Sequence, residues 1–350
     1  MTRLEAHRAV ARLPLLGVLF VLHCGCAAAA EPPLGFRPLA LKVTPIERFE
    51  FGRDTTRFGE LEFRGGLELE SRDADFGGFS GLDFDPKTGA MLAVSDTGSW
   101  LRARIVEEGG RLTNLRDAAI APMRNVDGNL VRRKNEGDAE ALRIVERDGR
   151  SVALVPMEEI DQIRAFAYDL DISLATPLAT PFPAGISQFM TRQGVEALAV
   201  APASSPLKGA TVLVSEGALP PDGNNRGWIL DGPLKGEFAV LHHGQLDVTD
   251  AAFLAGGDLI LLERSFTMGA GFGTRMRFIA GGDIRPGARL EGRTLMEADM
   301  RFQIDNMEGL AVRESADEVE FYLVSDDNHS IFERTLLLKF AWRKVAPTGK

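Results

Sequence analysis

Ser80, Glu140, Glu196, Asp250 and Glu308 open five similar segments, with successive spacings of 60, 56, 54 and 58 residues. Four of the five are carboxylates. If each opens the innermost strand of a repeated unit, the four converge on one axis, where like charges repel unless a cation or protonation neutralises them. After Cys26 the chain has no cysteine, and after residue 30 its only histidines are His242, His243 and His329. An oxygen-only donor set favours a hard ion, Ca²⁺ before Mg²⁺ or Mn²⁺. Glu140, Glu196, Asp250 and Glu308 are therefore the predicted metal ligands. Asp96, Glu216, Glu263 and Asp326 end the partner strands and predict a second ring around them. The same positions also fit a packing signature, in which each carboxylate caps backbone N–H groups at a turn.

The elements that must position these residues are strand, turn, strand. The first copy runs from Ser80-Gly81-Leu82-Asp83-Phe84 through a Pro/Gly turn to Met91-Leu92-Ala93-Val94-Ser95-Asp96. Later copies begin at Glu140-Ala141-Leu142, Glu196-Ala197-Leu198, a degenerate Asp250-Ala251-Ala252, and Glu308-Gly309-Leu310. Apolar and β-branched strands bounded by Gly, Pro, Asp and Ser read as hairpins, and further strand-like stretches between copies allow about four strands per repeat. Repeats of this length predict an all-β fold, a β-propeller of five or six four-stranded blades. Six is the favoured number, because Leu39 to Phe51 and Phe58 to Glu70 supply extra strands. Pairing of those strands with Arg334 to Trp342 would close the ring from both chain ends.

At 350 residues, a net charge of −10 and 45% hydrophobic composition, the chain reads as a folded acidic protein. Nucleic-acid binding is disfavoured. Residues 1–30 read as a signal peptide: Arg3, Arg8 and Arg12 precede the apolar run Leu13 to Leu22, and Ala27 to Ala30 offer small residues for cleavage. That run is too short for a membrane span. Cleavage would leave residues 31–350 as a single propeller domain of net charge −12, placed in the periplasm or outside the cell. Lipoprotein anchoring at Cys24 or Cys26 is the lesser expectation, since Leu22-His23 is a poor lipobox.

Other constellations are weaker. Gly78-Phe79-Ser80-Gly81-Leu82 departs from the serine nucleophile elbow at its fifth position. His242-His243 lacks a partner at recognisable spacing, and Met268 to Gly273 lacks the lysine and helix of a phosphate loop. Asp326-Asp327-Asn328-His329 follows a strand and reads first as a polar turn. The basic candidates for a ligand are scattered: Arg132, Arg133, Lys134, Arg192, Arg226, Arg264, Arg275 and Arg277.

The run from Phe76 through Gly89 to Asp96, with Gln193-Gly194-Val195-Glu196-Ala197-Leu198 and Asn306-Met307-Glu308-Gly309-Leu310, resembles the bacterial phytase-like family, esterase-like activity of phytase. The resemblance spans about Leu39 to Phe340. It implies an exported propeller related in fold to calcium-dependent phytases. Their Asp-Ala-x-Asp-Asp-Pro-Ala and Asn-Asn-Phe-Asp-Val-Arg runs are missing here, which argues against phytate itself. The expected function is metal-dependent hydrolysis of a small-molecule phosphate or carboxylate ester. The alternatives are a gluconolactonase-like lactone hydrolase and a noncatalytic propeller that binds a ligand or protein in its channel.

Overall fold

Met91–Ser95 and Thr211–Ser215 are short, continuously apolar runs, and every residue in them is buried. Such strands need cover on both faces, which a ring of sheets supplies. The computed structural model describes residues 35–344, apart from 132–133, 148, 169–170, 184–185, 187–193 and 220. The predicted signal peptide, Cys24, Cys26, Arg132, Arg133 and Arg192 lie outside the described residues. No helix among the described residues is long and apolar enough to cross a membrane.

The strands form five sheets, each ordered from an inner strand outwards. Blade 1 comprises Phe79–Phe84, Met91–Ser95, Ser99–Glu108 and Arg111–Pro122, with Arg37–Pro38 on its outer edge. Blade 2 comprises Arg143–Arg147, Arg150–Met157, Gln162–Tyr168 and Leu178–Pro181. Blade 3 starts at Val195–Val200, blade 4 at Asp247–Phe253 and blade 5 at Asn306–Glu314. The expected six blades are thus corrected to five. Among the described residues three strands follow residue 305, so Leu61–Glu70 and Lys42–Ile46 complete blade 5 outside Thr335–Arg343 instead of founding a sheet of their own. Closure of the ring by strands from both ends of the chain is as expected.

Five hydrophobic clusters fill the five gaps between adjacent blades. Trp100, Leu142, Val155 and Phe166 join blades 1 and 2, for example, and Phe79, Leu82, Tyr322 and Leu337 join blades 5 and 1. The closing interface is also pinned by polar contacts. Lys339 Nζ of blade 5, fully buried, lies 2.6 Å from Glu320 and 2.8 Å from Glu107 of blade 1, and the Tyr322 hydroxyl donates to the same Glu107.

Each inner strand carries a one-residue bulge near its start. Ser80, Glu196, Thr249 and Glu308 are the extra residues in blades 1, 3, 4 and 5. In blade 2, Ala139 pairs with Met157 while Arg143 pairs with Leu154, which leaves Glu140 as the extra residue. A bulge re-aims its side chain out of the sheet. The residue after it is small in four blades, Gly81, Ala141, Ala197 and Gly309, because the inner strands crowd the axis there. A Cβ at Gly81 would stand 2.6 Å from the backbone of Ala141 and Leu142 in the next blade. Backbone cannot yield as a side chain can, so Gly81→Ala is expected to cost about 1–3 kcal/mol. Urea unfolding checks this, and a loss below about 0.5 kcal/mol would show that the ring breathes at this point.

Candidate functional site

The five bulges place Ser80, Glu140, Glu196, Thr249 and Glu308 in one tier at a single end of the channel. Two of them are hydroxyls that tie their blade to the next. Ser80 Oγ donates to the Ala139 carbonyl, and Thr249 Oγ1 donates to the Met307 carbonyl at 3.1 Å. The other three are the predicted carboxylates Glu140, Glu196 and Glu308, each at least 92% buried.

Asp250, the fourth predicted ligand, does not belong to this tier. It follows the bulge and takes the position that is Gly or Ala in the other blades. Its Oδ1 accepts from Arg143 Nη2 at 2.6 Å and from the Ala251 N–H, and its Oδ2 accepts from the Leu310 N–H. Both oxygens are thereby committed to protein donors. Burial raises its pKa to about 7, against the pull of Arg143 and the two backbone donors. Arg143 reaches this carboxylate from blade 2 and also donates to the carbonyls of Leu82 in blade 1 and Ala251 in blade 4. It lies as a bar across the channel and lines a 150 Å³ cavity with Asp83, Val145, Val200, Phe253 and Val312.

The second strands contribute a further tier: Asp96, Glu158, Glu216, Arg264 and Asp326 stand opposite the residues two before each bulge. Here too blade 4 corrects the sequence reading. Glu263 falls one position earlier, opposite Val248, where Arg275 (2.6 and 2.9 Å) and Arg277 (2.5 Å) claim it away from the mouth. Arg264 takes the place of a carboxylate, with Nη2 3.2 Å from Glu216, Nε 3.1 Å from Glu308 and Nη1 donating to Asn306 at 2.8 Å. Blade 4 thus supplies one of the two hydroxyls of the first tier and the arginine of a second tier whose other residues are acidic.

The densest acid lies in blade 2. Asp138, Glu140 and Glu158 bring carboxylate oxygens within 4.8 Å of one another. Sequence reasoning missed Asp138 and Glu158, although Glu158 follows Met157 as Asp96 follows Ser95. Asp138 adopts a positive φ of 59°, and its N-terminal neighbours on the short 3₁₀ turn include Lys134, whose Nζ is 2.9 Å from Asp96 Oδ2 and 3.1 Å from Asp138 Oδ1. Gly194 of blade 3 makes room for Glu158, since a Cβ there would overlap its carboxylate. Three buried carboxylate oxygens, Asp96 Oδ1, Asp138 Oδ1 and Glu308 Oε2, have no hydrogen-bond partner, although Asp138 Oδ1 is within ion-pair reach of Lys134. Buried carboxylates converging with free lone pairs fit a hard divalent cation.

Burial, then repulsion from neighbouring carboxylates, pushes Glu140 and Glu196 well above the usual range. Burial raises Glu308 to about 7 despite Arg264, and Asp326 to about 6. Burial opposes the charge on Lys134, but Asp96, Asp138 and Glu140 outweigh it and hold the ammonium above the ordinary lysine value. A carboxyl raised in the folded state stabilises the fold below its unfolded pKa, and that contribution is lost as pH rises through the folded value. In chelator, melting temperature is therefore expected to fall by on the order of 5 °C between pH 5 and pH 8. A flat profile across that window would contradict the crowding of these groups.

The remaining candidates are accounted for elsewhere. His242 Nδ1 pairs with Asn225 and His243 with Glu291, while Met268 to Ala270 cap the hairpin between Leu259–Thr267 and Gly271–Ile279. Arg226 lies 3.6 Å from Glu237.

No curated protein sequence matches the chain. Among solved structures, a PQQ-bound aldose sugar dehydrogenase from Streptomyces coelicolor is 13% identical with a TM-score of 0.42, covering 88% of this chain and 99% of its own. A thermostable family-43 glycoside hydrolase is 8% identical with a TM-score of 0.48, covering 79% of this chain and 95% of its own. Residues 74–329, which run from the loop before the inner strand of blade 1 to His329 at the rim of blade 5, match the family described as esterase-like activity of phytase. The chain belongs to this phytase-like family.

Proposed function

We propose that the protein is an exported, calcium-dependent hydrolase of a small phosphate or carboxylate ester, acting at the carboxylates of the channel mouth. The observation that carries this reading is the convergence of Asp138, Glu140 and Glu158 within 4.8 Å beside Lys134. Those three carboxylates would hold the cation. When bound, it supplies Lewis acidity to an ester oxygen and makes water more acidic. Glu196, whose pKa burial and the neighbouring Glu216, Glu308 and Glu158 raise, is the candidate acceptor for a proton of the attacking water. Lys134 supplies a fixed positive charge at the same edge, where a phosphate oxygen or a developing oxyanion would lie. Export rests on the basic, apolar and small-residue succession of the first thirty residues.

The test is turnover of p-nitrophenyl phosphate, p-nitrophenyl acetate and a lactone by the purified protein, with calcium and with chelator. Calcium-dependent turnover of one ester class supports the reading and selects the class. Absence of turnover on all three, with calcium present, would sink it in favour of ligand binding at the same mouth. Calcium at a hundredfold excess over its Kd is expected to stabilise the fold by about 2.7 kcal/mol. Identical melting curves in calcium and chelator would remove the metal from the account.

A further inference from the structure

Arg102 differs from every other arginine that the fold covers to a similar or greater depth. Among the described residues each of those reaches a carbonyl or a carboxylate, whereas Arg102 forms neither a hydrogen bond nor an ion pair. Its guanidinium lies instead over the ring of Phe36, 4.2 Å from the centroid. The ring holds one face of the planar fork and leaves its N–H edge without an acceptor, in a chain of net charge −10.

Phe36 and Arg102 border a 380 Å³ cleft between blades 1 and 2. Met91 and Leu92 of blade 1 and Ile172, which follows the third strand of blade 2, are buried and supply apolar walls, and Tyr168 supplies an aromatic one. The Tyr168 hydroxyl also has no hydrogen-bond partner. Phe36 reaches the cleft because Arg37–Pro38 pairs with Ile120 and Ala119 on the outer edge of blade 1, while Arg102 pairs with Ala119 from the other side.

The other charges at the cleft are already matched. Asp85 Oδ1 accepts from the Lys87 N–H at 2.8 Å and its Oδ2 from Thr88 Oγ1 at 2.9 Å, within its own turn. Asp117 and Arg104 lie 3.6 Å apart, both mostly exposed. Arg102 therefore sets the sign of a ligand. A volume in the ordinary range for small-molecule sites, mainly apolar walls and one oriented fork suit a small organic anion. Two aromatic walls, Phe36 and Tyr168, favour a ring in that ligand. Met91 opens the second strand of blade 1 and Asp96 follows it, so at the rise of a strand they stand about 16 Å apart, and the cleft is separate from the carboxylates of the mouth.

We infer that this cleft is a second binding site, which takes an aromatic carboxylate. The carboxylate accepts two hydrogen bonds from the N–H edge of Arg102, and the ring lies against Met91, Ile172 and Tyr168. The inference does not depend on the function proposed for the mouth.

Calorimetric titration of the purified protein with 2-naphthoate tests it, in chelator so that no calcium at the mouth competes for the carboxylate. The controls are 2-naphthamide, which keeps the shape without the charge, and acetate, which keeps the charge without the ring. Each control is expected to bind at least roughly tenfold more weakly than 2-naphthoate. Arg102→Met keeps the stem over Phe36 and removes the fork, and is expected to weaken 2-naphthoate by roughly tenfold or more with 2-naphthamide unchanged. Arg102→Lys keeps the charge but cannot donate in parallel, so it is expected to lose severalfold, and it carries the test if the first variant does not fold. Absence of 2-naphthoate binding to the wild type at about 10 mM, equal affinity for acid and amide, or unchanged affinity in the folded Arg102 variants would each overturn the site. The last result would place the acid at another cation, such as Lys134.

Discussion

Arg143→Ala is expected to destabilise the protein by about 3–5 kcal/mol, because it leaves Asp250 buried without its counter-charge. Asp250 is fully buried and Arg143 nearly so, and their contact at 2.6 Å crosses the channel between blades that do not adjoin in the ring. Through the Leu82 carbonyl and the Leu310 N–H, the pair also engages blades 1 and 5. The loss is expected to be larger at pH 8 than at pH 5. Asp250 already has a pKa near 7 with its partner present, and removal of the guanidinium takes away a group that lowers it, so at pH 5 the stranded carboxyl protonates. Replacing both residues with apolar ones of similar volume is expected to cost much less than the single change. Chemical unfolding of the three proteins at the two pH values checks all of this. A single variant within about 1 kcal/mol of wild type would show that the bar is dispensable.

Glu140→Gln should move stability in opposite directions with and without calcium. In chelator the change removes a buried charge crowded by Glu196 and Asp138, so the variant is expected to melt higher than wild type. In calcium it has lost a ligand, so the calcium-dependent rise should shrink or vanish, and turnover should fall by roughly a hundredfold or more. The crossing separates a ligand from a cap. If Glu140 served only to hold backbone N–H groups at a turn, the variant would be less stable under both conditions. Parallel melting shifts would therefore exclude the metal role.

The hairpins were legible because their spacing, apolar strands and turn residues survive in every copy, and Glu140, Glu196 and Glu308 were found through that repetition. Blade 4 was misread because its tier residues changed identity. Asp250-Ala251-Ala252 imitates Glu196-Ala197-Leu198, but the bulge that fixes which residue faces the mouth is a property of cross-strand pairing, with Val248 opposite Glu263 and Asp250 opposite Leu262. The same one-residue slip exchanged Glu263 for Arg264. Asp138 and Glu158 escaped notice because the inner strand of blade 2 is interrupted after the bulge, so its first regular residue is Arg143. Asn328 and His329 look like an ordinary turn in sequence, and the contact that ties their loop to blade 1, Gly78 N–H to Asp327, comes from a residue 249 positions away.

Blade 5 has a consequence for how the molecule comes into being. Thr335–Arg343 must find Leu61–Glu70 across almost the whole length of the chain, and both of its neighbours in the sheet are long strands with ten and nine residues. Until that pairing forms, two sheet edges stay bare and the buried Lys339 has no carboxylate from blade 1. Ring closure is thus a late, long-range event, slow relative to the local hairpins that precede it. A nascent chain stays an open arc of blades until its last strand has been made.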